Sequence, residues 1–126
     1  MTAGPSDWTD LKVEVKQAAD GIVQLDLAGL LDWANYRKVD EELKRLFREN
    51  IFRLIINLAE VKTISTSGFG CFIAALHTAQ KNNGNLVFVR VPKDLQEVFD
   101  ILGLTKLLTF AETEQEAVAK LKQPTA

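Results

Sequence analysis

The chain has 126 residues, 47% of them hydrophobic and 25% charged, which suits one ordinary globular domain and leaves little room for a second. Fifteen basic residues against 17 acidic ones, a formal charge of −2, give no basis for a nucleic-acid partner. One cysteine excludes an internal disulfide and fits a reducing compartment, and no apolar run is long enough to span a bilayer.

The first ten residues are polar, lack the apolar core of a signal peptide, and read as a tail. The expected location is therefore the cytoplasm, with no direct membrane insertion. "LKVEVKQ" (11 to 17) alternates Leu11, Val13 and Val15 with polar residues, as a half-buried strand does. "ADG" (19 to 21) reads as a turn and "IVQLDLAG" (22 to 29) alternates again, so the two form a hairpin. From Trp33 the period changes: Trp33, Tyr36, Val39, Leu43, Leu46 and Phe47 fall at helical spacing, with Asp32 placed to cap the N-terminus. "FRLIINLA" (52 to 59) is apolar on both faces, the pattern of a buried parallel strand.

After a stretch rich in hydroxyls, Phe69, Phe72, Ile73 and Leu76 resume helical spacing, and Gly84 is positioned to end that helix in the left-handed conformation. "LVFVRV" (86 to 91) is a further buried strand. Pro92 opens a helix through Leu95, Val98, Phe99 and Leu102 that Gly103 ends. "KLLTF" (106 to 110) predicts a short strand, and Thr113 with Glu116 has capping-box spacing at the start of a last helix. The expected fold is α/β, a mixed, mostly parallel sheet of about five strands with about four helices in the order ββαβαβαβα. It spans residues 11 to 122, between tails at 1 to 10 and 123 to 126.

The unusual stretch is "VKTISTSGFGCFIAAL" (61 to 76), where Thr63, Ser65, Thr66 and Ser67 run into Gly68 and Gly70. It lies after a parallel strand and before a helix, where ligands bind in open α/β sheets. Unpaired N–H groups and the positive end of the helix dipole favour an anion there, including a phosphate on a hydroxyl. The structural alternative is that Ser67 or Thr66 caps the helix while Gly68 and Gly70 let it pack closely on the sheet.

Enzyme chemistry is not expected. The G-x-S-x-G elbow fails because Ser65 and Phe69 hold the glycine positions, and no G-K-[ST] makes a P-loop. The single histidine, His77, lies roughly 15 Å beyond Ser67 along the same helix, out of general-base reach. Cys71 reads as a small core residue, and no cluster has metal-ligand spacing. Neither a metal nor another cofactor is implied.

"INLAEVKTISTSGFGCFIAAL" (56 to 76), "LAGLLD" (27 to 32) and "KNNGNLVFVRVPKDLQEVFDILGLTKLLTF" (81 to 110) together resemble the STAS domains, and within them the bacterial anti-sigma factor antagonists. The first piece is like the family's D-S-S-G-L-G motif and its flanking strand and helix, the second like its G-x-L-D turn. The resemblance implies a protein that binds an anti-sigma factor with serine-kinase activity and so regulates transcription. That kinase phosphorylates a serine, binding is lost, and a serine phosphatase resets the switch. Carried over, the phospho-acceptor is Ser67, with Thr66 as the alternative, and Asp32, Ser65, Thr66, Ser67, Gly68 and Phe69 are the partner-binding residues. Three positions depart from the family pattern: Ser65 stands for Asp, Phe69 for Leu, and Asn57 for a common Asp. Relatives without a phosphorylation switch, such as a STAS subunit of a lipid-transporting ABC system or a stressosome scaffold, form the alternative reading.

Overall fold

The computed structural model describes residues 11 to 123. The tails expected at 1 to 10 and 123 to 126 lie outside it apart from Gln123, the C-cap of the last helix. Ten elements follow in chain order: β1 (Lys12–Ala19), β2 (Ile22–Leu31), α1 (Tyr36–Arg48), β3 (Arg53–Ile64), α2 (Thr66–Lys81), β4 (Asn85–Val89), α3 (Lys93–Ile101), a 3-10 turn (Leu104–Lys106), β5 (Thr109–Ala111) and α4 (Glu114–Lys122). The strands form one sheet in the order β1-β2-β3-β4-β5. Only β1 and β2 pair antiparallel; the other neighbours are parallel. The expected fold class is what forms.

This strand order decides where the helices go. Each parallel neighbour is reached by a crossover, and right-handed crossovers that all step the same way place their helices on the same face. Accordingly α1, α2 and α3 bury Val39, Leu43, Leu76, Leu95 and Phe99 in one core with Leu25, Leu54, Ile56 and Phe88 of the sheet. The opposite face carries a smaller core, Ile22, Ile55, Val87 and Val89 against Ala117 and Leu121 of α4.

Five phenylalanines stitch the larger core. Phe69 meets Phe99 edge-on at 5.2 Å, Phe72 meets Phe88 at 5.1 Å, and Phe110 lies 5.4 Å from Phe99. Such pairs each contribute about 0.5–1.5 kcal/mol beyond their area. They tie α2, β4, α3 and β5 into one block.

Four local expectations are corrected. Trp33 does not join the apolar stripe of α1, which begins only at Tyr36; the tryptophan is 78% exposed in the preceding turn. Gly84 is not the left-handed terminator of α2. Asn83 takes that conformation at φ 63°, while the Asn83 and Gly84 N–H groups donate to Gln80 and Ala79, the Schellman pattern. Gly84 is needed for another reason, since a Cβ there would lie 1.9 Å from the Phe52 carbonyl oxygen. The last strand is Thr109–Ala111 rather than 106 to 110, because Leu104–Lys106 winds into a 3-10 turn. The strand before the hydroxyls is also longer than its apolar run, since β3 continues to Ile64 paired with Leu31.

Candidate functional site

β2 and β3 deliver the site together. Gly29, at φ 110°, sits at a shift in the β2–β3 register, after which Leu30 pairs with Thr63 and Leu31 with Ile64. A side chain would be strained at that φ, so glycine is what lets the strand bend here. The Ser65 N–H then donates to the Leu31 carbonyl at 2.8 Å, and α2 starts one residue later. The loop between strand and helix is thus the single residue Ser65.

The four hydroxyls therefore separate into different environments. Thr63 belongs to β3 and is exposed. Ser65 is the N-cap of α2, with extended backbone and its Oγ accepting from the Gly68 N–H at 3.4 Å, so neither Ser67 nor Thr66 is the cap. Thr66 and Ser67 are the first two helical residues, the former exposed and the latter half-buried. No acidic residue lies in this first turn, so the positive end of the dipole has no carboxylate of its own helix against it there.

Of the two glycines, only Gly68 is sterically required. A Cβ on it would come within 2.7 Å of Leu31 Cγ and 2.8 Å of Ile64 Cγ2, whereas Gly70 is exposed with nothing within 4 Å. Phe69 is 6% exposed and committed to Phe99, so Gly68 and Phe69 act on the surface only by shaping it from beneath.

Asp32 does not cap α1; the N-cap is Asn35. Its Oδ1 instead accepts from the N–H groups of Ala34 at 2.9 Å and Asn35 at 3.1 Å, an Asx-type turn. Asn35 answers with Oδ1 on the Asp32 N–H at 2.9 Å and Nδ2 on the Leu30 carbonyl at 2.7 Å. The Asp32 carboxylate is held by backbone donors at the rim of the site.

Other candidates fall elsewhere. Asn57 points to the face away from α2, where its Nδ2 donates to Asp26 Oδ1 at 2.8 Å. An aspartate at position 57 would set two carboxylates against each other, which accounts for the amide. Cys71 is buried, and desolvation followed by the charge of Asp40 pushes its thiol up to about 12, so it is not a thiolate nucleophile. His77 is exposed on α2. Among the described residues, no group of three or more His, Cys, Asp or Glu is placed to hold a metal ion, and no helix is long and apolar enough to cross a membrane.

The family model described as the STAS domain matches residues 14–117. The chain belongs to the STAS domain family. The anti-sigma-B factor antagonist of Staphylococcus epidermidis is 30% identical over 98 residues, covering 77% of this chain and 91% of that protein. The namesake from Bacillus subtilis is 27% identical over 109 residues, covering 86% and 98%. Among solved structures, an anti-sigma factor antagonist from Mycobacterium paratuberculosis superposes with a TM-score of 0.81 at 16% identity, covering 97% of this chain and all of the other. Phosphorylated SpoIIAA from Bacillus superposes with a TM-score of 0.69 at 19% identity, covering 88% and 100%. At those identities the structures show the shared STAS fold, and the sequence relatives place the chain with the anti-sigma factor antagonists of the family.

Proposed function

We propose that this STAS protein binds an anti-sigma factor with serine-kinase activity and is released when that kinase phosphorylates Ser67. The reading rests on one observation above others: Ser67 stands in the first turn of α2, beside the tip of β2, in a chain whose relatives are named anti-sigma factor antagonists. SpoIIAA, which shares the fold, is known in both phosphorylated and unphosphorylated forms.

Such a switch requires no change of fold. A phosphate on Ser67 carries about −1.5 to −2 charge, and the helix N-terminus tolerates it locally. A partner surface covering Ser67 must then desolvate or repel that charge, and about 1.4 kcal/mol already changes affinity tenfold. A serine phosphatase resets the state. Thr66, one residue earlier and more exposed, is the alternative acceptor. Work in the cytoplasm follows from such a partner.

Intact-mass measurement with site mapping on protein from its own cells tests the proposal. One phosphate on Ser67 in part of the population is expected, with Ser67→Ala binding the anti-sigma factor constitutively and Ser67→Asp binding it weakly. An unmodified chain under every growth condition, with equal affinity for all three proteins, would leave a STAS subunit without a phosphorylation switch.

A further inference from the structure

The β2–α1 turn places a large aromatic ring in solvent next to this site. Trp33 is 78% exposed, yet the turn around it is closely hydrogen-bonded. The Asp32 carboxylate, the Asn35 amide and the Tyr36 N–H, which donates to the Asp32 carbonyl at 2.9 Å, fix the backbone on both sides. Leu31 and Ile64 pair at the ends of neighbouring strands. Trp33 follows Leu31 by two residues and Ser67 follows Ile64 by three, so both leave the same end of the sheet.

We propose that Trp33 is the anchor by which the protein partner proposed above is held, its indole entering an apolar slot on that partner. The inference rests on the proposed function and names a residue that neither the motif nor the capping chemistry points to. A tryptophan on a fixed turn loses little conformational freedom on binding, and rings of this kind dominate interface energetics. The partner is a folded protein rather than a lipid surface. Exposed residues on the same segments, among them Ala34, Arg37, Lys38, Lys62, Thr63 and Thr66, are small, polar or charged, and a single ring among them lacks the broad apolar face that a membrane requires. The same geometry couples the anchor to the switch, because a partner seated on Trp33 lies against the end of the sheet from which Ser67 projects.

The chain has two tryptophans, so Trp8→Phe leaves Trp33 as its single tryptophan, excited selectively at the red edge of the absorption band. In that background, with Ser67→Ala to prevent phosphorylation, the protein is titrated with each purified serine-kinase anti-sigma factor encoded in the same genome. The expected result is a blue-shifted Trp33 emission, protected from acrylamide, and a Kd raised about tenfold or more by Trp33→Ala at an unchanged thermal midpoint. A complex that forms without altering Trp33 emission, and that Trp33→Ala weakens less than twofold, would overturn the anchor and leave the proposed function standing. No complex with any of these factors would overturn both. The emission measurement uses the intact tryptophan, so it decides the matter even if Trp33→Ala lowers stability.

Discussion

Gly68 and Gly70 are two residues apart on one helix and ask for opposite predictions. Alanine is favoured over glycine in a helix interior by about 0.8–1.0 kcal/mol. At Gly70, where an added Cβ meets nothing within 4 Å, that preference is all that acts, so Gly70→Ala should raise stability by roughly this amount. At Gly68 the same Cβ would press on Leu31, which is fully buried, and on Ile64. Overpacking costs about 1–3 kcal/mol and outweighs the gain, so Gly68→Ala should be destabilising. Chemical denaturation of the two variants checks the pair; the same sign for both would mean that α2 does not press on the tip of β2 as described. The contrast also shows why the site was only half legible from its residues. A glycine in the motif announces that something approaches closely, but which of two glycines is approached depends on the facing strand.

The start of α2 raises the same problem at the scale of an element. Four hydroxyls within five residues offer several caps, and local preference cannot choose among them; register does. Because β3 stays paired to Ile64, the chain leaves the sheet only at Ser65, and that residue must be the N-cap. Ser65→Ala should cost about 0.5–1 kcal/mol, the lower part of the range for lost caps, since the hydrogen bond it removes is long at 3.4 Å. Ser65→Asp should keep the cap and add a favourable charge at the dipole of up to about 1 kcal/mol. Thermal unfolding in low salt reads both, and stabilisation by Asp should shrink as salt is added. Elements whose periodicity was unbroken, such as Val39 to Phe47 in α1 or Leu54 to Ile56 in β3, were legible because burial on one or both faces leaves a mark on every turn or strand. Element ends were less so. Asn83 supplies the left-handed residue that glycine supplies more often, and Trp33 happens to fall in phase with a helix that begins three residues later. The exposed tryptophan is the clearest loss, since spacing alone cannot tell a core position from a surface one in the same phase.

For the molecule as a whole, three crossover helices lie on one face, and among the described residues α4 is the one helix on the other. Beyond the reach of its small apolar core, that face is held by polar side chains. Gln24, only 1% exposed, and Asn57 each donate to Asp26 Oδ1 at 2.8 Å, and Lys16 Nζ lies 3.2 Å from Oδ2, so β1, β2 and β3 are joined through one carboxylate. Arg90, just past β4, holds Glu114 at 2.8 Å and fastens the start of α4. Burial alone would raise the Asp26 pKa, but the hydrogen bonds from Gln24, Asn57 and Lys16 reverse that and hold it below the ordinary value; the Arg90 hydrogen bond does the same for Glu114. A carboxyl whose pKa is lower in the folded state than in the unfolded chain binds protons more readily when unfolded. Its stabilisation is therefore complete above about pH 5 and is lost as pH falls through and below about 4. Asp26→Asn keeps an acceptor for the two amides and removes the charge that Lys16 faces. It should unfold at lower denaturant than the unmodified protein at pH 7, and the two midpoints should converge as the pH approaches 3. Midpoints that stay equally far apart across that range would mean that the ionised carboxylate is not what joins these three strands.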